Sequence, residues 1–284
     1  MKALLCFSAI SAAIILSTSF NHHSSGTPAI LSDSTQLPPV ETRKANSDYK
    51  PAFTGQTRIN GVRTTTAYKV EKIAERIGRP WAIVPLPDGR LLVTEKSGFM
   101  QIYAANGSLV KKITGFPEVD DGGQGGLLDV APDPSFSQNK TIYWSFSEEY
   151  ENGNLLSVAK GKLSADETTI QNPVVIFRAT PALNSSLHFG SRILFDRAGN
   201  MFVSTGERSI LEGRKQAQWL NSHLGKIFRI TKDGKAAPGN PFLNDKNAMP
   251  EIYAMVYGMP RASPFIQLPA ICGKRNSGRV AEMN

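Results

Sequence analysis

His188 is the residue of this sequence best suited to move a proton. It lies in Asn184-Ser-Ser-Leu-His-Phe-Gly190, directly before an apolar segment. A neutral imidazole accepts a proton at physiological pH, so His188 is a candidate general base. A turn histidine bonded to the backbone is the alternative, and the sequence pattern by itself favours it. His223, in Asn221-Ser-His-Leu-Gly225, has the same two interpretations with less support for catalysis.

Two further segments offer polar groups to a ligand. The glycine-rich stretch Asp120-Asp-Gly-Gly-Gln-Gly-Gly126 lacks the Lys-Ser/Thr pair of a P-loop, so a phosphate cradle is not expected. Its glycines could let Gln124 present its amide to a ligand, or could serve only a tight turn. Gly206-Glu-Arg208 offers the carboxylate of Glu207, for which a solvated surface pair with Arg208 is the alternative.

Short β-strands separated by turns must position these residues. Three segments share a strand–turn–strand form with an aspartate in the turn, and the turn aspartates Asp88, Asp133 and Asp196 are 45 and 63 residues apart. The predicted strands and hairpins lie within Trp81 to Glu95, Gly98 to Tyr103, Ser108 to Ile113, Leu128 to Phe146, Arg192 to Thr205 and Leu224 to Thr231. No long helical period competes, so the chain is predicted to be all-β. Repeats of four-strand size predict propeller blades, and three such units are fewer than the four to eight blades of a closed ring.

The first 50 residues predict export. Lys2 precedes the uncharged stretch Ala3 to Leu16, which is too short for a membrane-spanning helix but typical of a signal peptide over residues 1–19. Residues 20–50 are predicted to be a flexible leader rich in Ser, Thr, Pro and Asn. We therefore expect a periplasmic or secreted protein with no membrane span after signal removal. Loss of Cys6 would leave only Cys272, so neither an intramolecular disulfide nor a zinc module is expected.

Composition excludes a disordered chain and says little about partners. Apolar residues make up 40% of the 284 positions, and the formal net charge is +8. Half of that charge lies in Lys2 and in the stretch after residue 260, and the remaining Lys and Arg are scattered along the chain. We therefore expect no nucleic-acid partner.

Residues 51–258 resemble the soluble quinoprotein sugar dehydrogenases, the glucose/sorbosone dehydrogenase family, and within it the aldose sugar dehydrogenase branch. The segments that carry the resemblance are Arg79-Pro-Trp-Ala82, Gly123-Gln-Gly-Gly-Leu-Leu-Asp-Val130, His188-Phe-Gly-Ser-Arg192, Gly206-Glu-Arg208, His223-Leu-Gly-Lys226 and Pro250-Glu-Ile-Tyr253. They follow the order and spacing of the family, which makes chance matching implausible.

The resemblance implies a fold, a cofactor and a reaction. It implies a six-bladed β-propeller, incomplete here, that holds pyrroloquinoline quinone (PQQ) with Ca²⁺ beside it. His188 then corresponds to the general base that takes a proton from an aldose while hydride passes to the quinone, giving a lactone and electrons for an external acceptor. Gln124 corresponds to a cofactor or substrate contact, and Glu207 to an acid that orients the histidine. No metal ligand of this chain is identified.

The resemblance ends after Gly258. The family continues with an Arg-Asn-Pro-Gln-Gly motif that grips the quinone, whereas this chain reads Met259-Pro-Arg-Ala-Ser263. We expect a frame change near Met259, with residues 259–284 forming a non-family tail, and no turnover by the 284-residue chain because its Ca²⁺ and quinone ligands are missing. Sequencing the gene across codons 255 to 265 tests this expectation.

Two other functions stay open at this point. One is a non-catalytic propeller fragment that binds carbohydrate or protein through the same loops. The other is a Ca²⁺-dependent lactonase on a similar propeller, which would need a cluster of Asp, Asn and Glu that the sequence does not offer clearly.

Overall fold

The computed structural model describes residues 37–44, 48, 50, 53, 60–63 and 65–256. The chain divides into two compact units, Met1–Val70 and Glu71–Asn284. In the first unit an isolated antiparallel bridge joins Pro39 to Asn60. The predicted signal peptide over residues 1–19 and the predicted tail over residues 259–284 lie outside the described residues, as does most of the predicted leader.

The described part of the second unit consists of three four-stranded antiparallel sheets, in agreement with the all-β prediction. Each sheet has the four-stranded antiparallel form of a propeller blade. The first sheet has the order β1-β2-β3-β4, with strands at Pro80–Pro85, Leu91–Glu95, Phe99–Tyr103 and Leu109–Ile113. The second has the order β5-β6-β7-β8, with strands at Leu127–Pro132, Thr141–Tyr150, Gly153–Leu163 and Ile170–Arg178. The third has the order β9-β10-β11-β12, with strands at Gly190–Phe195, Met201–Thr205, Lys226–Ile230 and Ile252–Met255.

The three predicted aspartate turns are confirmed as the hairpins β1–β2, β5–β6 and β9–β10. In each hairpin the aspartate accepts a hydrogen bond from a backbone N–H a few residues later: Asp88 from Arg90, Asp133 from Ser135 and Asp196 from Asn200. This local bond is the reason that aspartate favours turns. Two short helices were not predicted, α1 at Phe136–Asn139 and α2 at Leu211–Gln216.

The apolar core lies between neighbouring sheets. One cluster joins the first and second sheets and includes Leu92, Ile102 and Trp144, all fully buried. A second cluster joins the second and third sheets and includes Val158 and Phe228. Among the first strands of the sheets, β5 lies next to both β1 and β9, so the three first strands follow one another along one edge of the array.

Ion pairs also connect neighbouring sheets. Arg90 in the β1–β2 hairpin binds Glu167 at 2.6 Å and lowers the pKa of that carboxyl. Burial opposes ionisation of Asp133, but the Lys232 ammonium 2.7 Å away and the hydrogen bonds from Ser135 and Asn139 together outweigh it, so the pKa of Asp133 is lowered. On the inner strands, Arg192 of β9 binds Asp129 of β5 at 3.0 Å.

The order of the strands determines which loops can form a site. In an up-and-down sheet, the loop before the first strand and the loop after the second strand lie at the same end. The segments before β5 and β9 and after β10 therefore share one end of their sheets, and the aspartate hairpins lie at the other. Among the residues that the structure describes, no helix has the length and apolar character needed to cross a membrane.

Candidate active site

His188 lies two residues before β9 and forms a close pair with Glu207, which lies two residues after β10. His188 Nδ1 is 2.7 Å from Glu207 Oε1. An ionised carboxylate only accepts hydrogen bonds, so we assign the ring proton to Nδ1. The side chain of His188 is 26% exposed, and its Nε2 has no hydrogen-bond partner among the described residues. The lone pair of Nε2 is thus free to take a proton from a ligand.

Glu207 and Arg208 are both buried, at 5% and 2% exposure, so the alternative of a solvated surface pair is wrong. Their side chains reach different partners. The second oxygen of Glu207, Oε2, is buried without a hydrogen-bond partner within the described part of the chain. Arg214 on α2 approaches the same oxygen as His188, with its Nε 3.8 Å from Glu207 Oε1, and its side chain is 59% exposed. The guanidinium of Arg214 and the imidazole of His188 therefore both approach the buried carboxylate of Glu207, and both are partly exposed to solvent.

Gln124 reaches the backbone of His188. Its side-chain Oε1 accepts a hydrogen bond from the backbone N–H of His188 at 2.9 Å. Its backbone N–H donates to Ser186 O at 2.7 Å. Gly123 has φ +51°, and a Cβ at this position would lie 2.6 Å from Ser186 O. The glycine is required because the two loops touch. The two interpretations of this loop, a tight turn and the presentation of the Gln124 amide, are thus compatible, because the tight packing of the loop determines the position of the amide.

Sequence reasoning missed the hydrogen-bond network of Arg208. Its guanidinium lies 3.9 Å from the centroid of the Phe189 ring and donates to oxygens of Asn154, Ser185 and Leu187. Burial lowers the pKa of Arg208 to about 10, with the charge of Asp120 opposing the shift, so the group is charged at neutral pH. Backbone carbonyls have no sequence signature, and only the position of Arg208 beside Glu207 could have suggested its importance.

Lys226 is a second missed residue, and it is fully buried. Its Nζ donates to the carbonyls of Ala217 and Leu224 at 2.8 and 2.7 Å, and to Gln216 O at 3.2 Å. Two of these carbonyls lie at the C-terminal end of α2, where helix carbonyls have no internal partner. Burial lowers the pKa of Lys226 to about 8. Lys226 thereby fastens the segment that connects β10 to β11 and carries Glu207 and Arg214.

His223 lies in the core and does not join this site. Its ring packs edge-on against Phe177 and Phe228, with centroid distances of 5.2 and 5.0 Å. Its Nδ1 accepts a hydrogen bond from the Thr180 N–H at 3.1 Å. Its Nε2 lies 3.6 Å from Glu251 Oε2, beyond hydrogen-bond distance.

The comparisons with known proteins define the class. The profile of the glucose/sorbosone dehydrogenase family matches residues 77–259, and the chain belongs to this family. The predicted family is therefore confirmed.

Particular relatives include aldose sugar dehydrogenases. Aldose sugar dehydrogenase YliI of Escherichia coli K12 is 35% identical over 192 residues, which cover 67% of this chain and 50% of that protein. The crystal structure of the soluble aldose sugar dehydrogenase of E. coli in its apo form matches with a TM-score of 0.60 at 34% identity, covering 64% of this chain and 52% of that one. The PQQ-bound aldose sugar dehydrogenase of Streptomyces coelicolor matches with a TM-score of 0.53 at 26% identity, covering 64% and 52%. The chain spans about half the length of the curated relatives it matches.

The described residues fit the two cofactors implied by the family unequally. PQQ is a polyanion with carbonyl groups, and the site offers the exposed guanidinium of Arg214, the amide of Gln124 and the free Nε2 of His188. A cation and polar groups of this kind could contact one side of such a ligand. For Ca²⁺, the described residues contain no cluster of three or more His, Cys, Asp or Glu side chains. The described part of the chain thus offers no such side-chain cluster for calcium, and no chemical step is assigned to that ion.

Proposed function

We propose that this protein contributes the base side of a site for PQQ-dependent oxidation of an aldose to a lactone. The observation that carries the proposal is the His188–Glu207 pair, because it leaves one imidazole nitrogen free in a chain of the sugar dehydrogenase family. The remaining cofactor contacts are expected from the part of the longer relatives that this chain does not cover.

His188 Nε2 accepts the proton of the anomeric hydroxyl in this mechanism. PQQ, when bound, supplies an acceptor for the hydride that leaves the anomeric carbon. The C–O bond becomes a carbonyl as the proton and hydride depart, so the sugar loses two electrons and becomes a lactone. An external acceptor later removes the two electrons from the site.

Glu207 stabilises the imidazolium that forms when His188 takes the proton. Its Oε1 accepts the Nδ1 hydrogen bond before and after transfer, and its burial keeps water from competing for that bond. Gln124 fixes the backbone of His188 from the opposite loop. Gln124 and Arg214 would hold polar and anionic groups of the cofactor, a role that their exposed positions allow.

The test measures sugar-dependent reduction of a dye. Because the chain spans half the length of its relatives, residues 1–256 are fused to the part of the E. coli aldose sugar dehydrogenase that follows the matched segment. The fusion, loaded with PQQ and Ca²⁺, is expected to reduce dye when an aldose is added, and its His188→Gln variant is expected to lose at least about 10³-fold of that rate.

The matched control is His223→Gln, which changes the other histidine of the described residues. It should keep the rate within about tenfold, because His223 has no free nitrogen facing a ligand. A His188→Gln fusion that binds PQQ and oxidises sugar at the unmodified rate would refute the proposed base. Aldose binding in calorimetry without dye reduction by a PQQ-loaded fusion would instead support a carbohydrate-binding protein.

A further inference from the structure

We infer that Arg208 is a positioning residue for His188, and that it works by holding the chain on both sides of the histidine, through backbone carbonyls before it and the Phe189 ring after it. The inference rests on the proposed function, since it explains how the base is kept in place. Arg208 is a buried cation that has no part in the proposed proton and hydride transfer.

The contacts of Arg208 converge on the His188 loop. Its Nε donates to Leu187 O at 3.1 Å, its Nη2 donates to Ser185 O, and its backbone N–H donates to His188 O at 3.3 Å. Its guanidinium stacks on Phe189, the residue that follows the histidine. Arg208 thus touches the residue before His188, the residue after it and His188 itself.

The same guanidinium anchors this loop to the second sheet. Nη1 donates to Asn154 O at 2.8 Å, and Nη2 reaches Asn154 Oδ1 at the start of β7. Asn154 in turn donates from Nδ2 to Asp120 Oδ2 at 2.6 Å, at the beginning of the loop that carries Gln124. One planar group therefore ties together the loops that carry Gln124, His188 and Glu207.

The backbone of His188 needs such support. Its φ is +50°, a left-handed conformation that costs a non-glycine residue about 1 kcal/mol or more. Strained conformations persist where surrounding contacts outnumber the alternatives. Glu207 grips the ring of His188 and Arg208 grips its backbone, so two adjacent residues clamp one histidine from two directions.

The nature of the buried charge supports positioning over ion pairing. Arg208 donates to carbonyl oxygens, and no salt bridge to a carboxylate is found for it within the described residues. A planar guanidinium directs several N–H groups at fixed angles, which a lysine ammonium cannot do. Arg208→Lys keeps the charge and removes the fork, so it isolates the geometric role.

The experiment reads the tautomer of His188 in the 284-residue protein without sugar or PQQ. Long-range ¹H–¹⁵N NMR of the imidazole groups distinguishes a proton on Nδ1 from one on Nε2, and His188→Gln assigns the signals. The unmodified protein is expected to show one tautomer, with the proton on Nδ1. Arg208→Lys is expected to show both, because the ring no longer stays aligned with Glu207.

Arg229→Lys is the matched control. Arg229 lies in the same sheet, contacts Asp196 and Pro238 O, and lies over the Phe202 ring, but at the hairpin end away from His188. It should lower the melting temperature and leave the His188 tautomer unchanged. A single, unchanged tautomer in folded Arg208→Lys would overturn the inference.

If Arg208→Lys does not fold, Ser185→Ala provides the test. Ser185 Oγ donates to Arg208 O, so this variant deletes a separate hydrogen bond between Arg208 and the His188 loop while keeping the guanidinium. A detectable second tautomer supports the inference, and an unchanged tautomer in this variant overturns it. Neither reading depends on dehydrogenase activity, so failure of the proposed function would show separately in the dye assay.

Discussion

The loops of the third sheet contain two histidine–glutamate pairs, which differ in the hydrogen bonds and the surroundings of the imidazole. In the first pair, His188 Nδ1 is 2.7 Å from Glu207 Oε1, and the partly exposed ring lies in a loop. In the second, His223 Nδ1 accepts a hydrogen bond from a backbone N–H, the ring packs edge-on against two phenylalanines, and Nε2 lies 3.6 Å from Glu251 Oε2. The same two residue types form a candidate base in one place and a core contact in the other. Each Nε2 lacks a hydrogen-bond partner among the described residues, but the side chain of His188 is 26% exposed whereas that of His223 is 8% exposed. Access of a ligand to the unpartnered nitrogen, more than a nearby carboxylate, distinguishes the two pairs.

The largest expected difference between the pairs is in rate. In the PQQ-loaded fusion, His188→Gln should lower kcat by about 10³-fold, whereas His223→Gln should lower it by less than about tenfold. Dye reduction at saturating aldose measures both. Equal losses of kcat in the two variants would mean that the accessible Nε2 of His188 does not make it a better base than His223.

Replacement of the two carboxylates should also lower kcat unequally, by a smaller factor than replacement of the histidines. Glu207→Gln removes the charge that stabilises a protonated His188, and should lower kcat by about 10–100-fold with KM little changed. Glu251→Gln, the matched change in the other pair, should leave kcat within about twofold. Steady-state kinetics of the two variants decides this, and a larger loss in Glu251→Gln would contradict the assignment of Glu207.

The second pair should contribute stability, with a defined pH dependence. His223→Phe leaves the half-buried Thr180 N–H without its acceptor, so it should cost about 1 kcal/mol in the free energy of unfolding at pH 7. The His223 imidazole also lowers the pKa of Glu251. A lowered carboxyl pKa stabilises the folded state above the unfolded-state value and loses that contribution as pH falls through the folded-state value.

The difference between the unmodified protein and His223→Phe should therefore shrink below about pH 4, the ordinary range of a glutamate. Urea unfolding at pH 7 and at pH 3.5 measures it. A difference that grows on acidification would show that Glu251 gains nothing from His223.

Arg214 should have the smallest effect of all. Its side chain is 59% exposed, so Arg214→Gln should change the free energy of unfolding by less than about 0.5 kcal/mol. If it faces an anionic cofactor, the same change should raise the apparent Kd of PQQ about fivefold, which corresponds to about 1 kcal/mol. Titration of the fusion with PQQ measures the shift, and an unchanged Kd would remove Arg214 from the ligand site.

The sequence predicts the sheets better than it predicts the surroundings of the site. The turns at Asp88, Asp133 and Asp196 are local hydrogen-bonded structures, so alternating strands and turn residues were enough to find the hairpins. Helix α2 was missed because six residues are too few to show a helical period.

Burial of the site residues could not be predicted from local patterns. Glu207 and Arg208 look like a solvated charge pair in the sequence, and only contacts with segments far along the chain enclose them. Arg208 and Lys226 bind backbone carbonyls, which every residue carries, so their partners have no compositional signal. The family resemblance identified His188, Gln124 and Glu207 without showing why they lie together.

The close approach of the two site loops has a consequence for recombination between relatives. A Cβ at Gly206 would lie 2.1 Å from His188 O, so the backbone beside Glu207 and the backbone of His188 touch with no room for a side chain. Shuffled genes with a crossover between codons 190 and 205 would combine a histidine loop from one parent with a glutamate loop from another. Such hybrids should be recovered less often in active form than hybrids with a crossover at the aspartate hairpin β1–β2, so the two loops are expected to be inherited as one block.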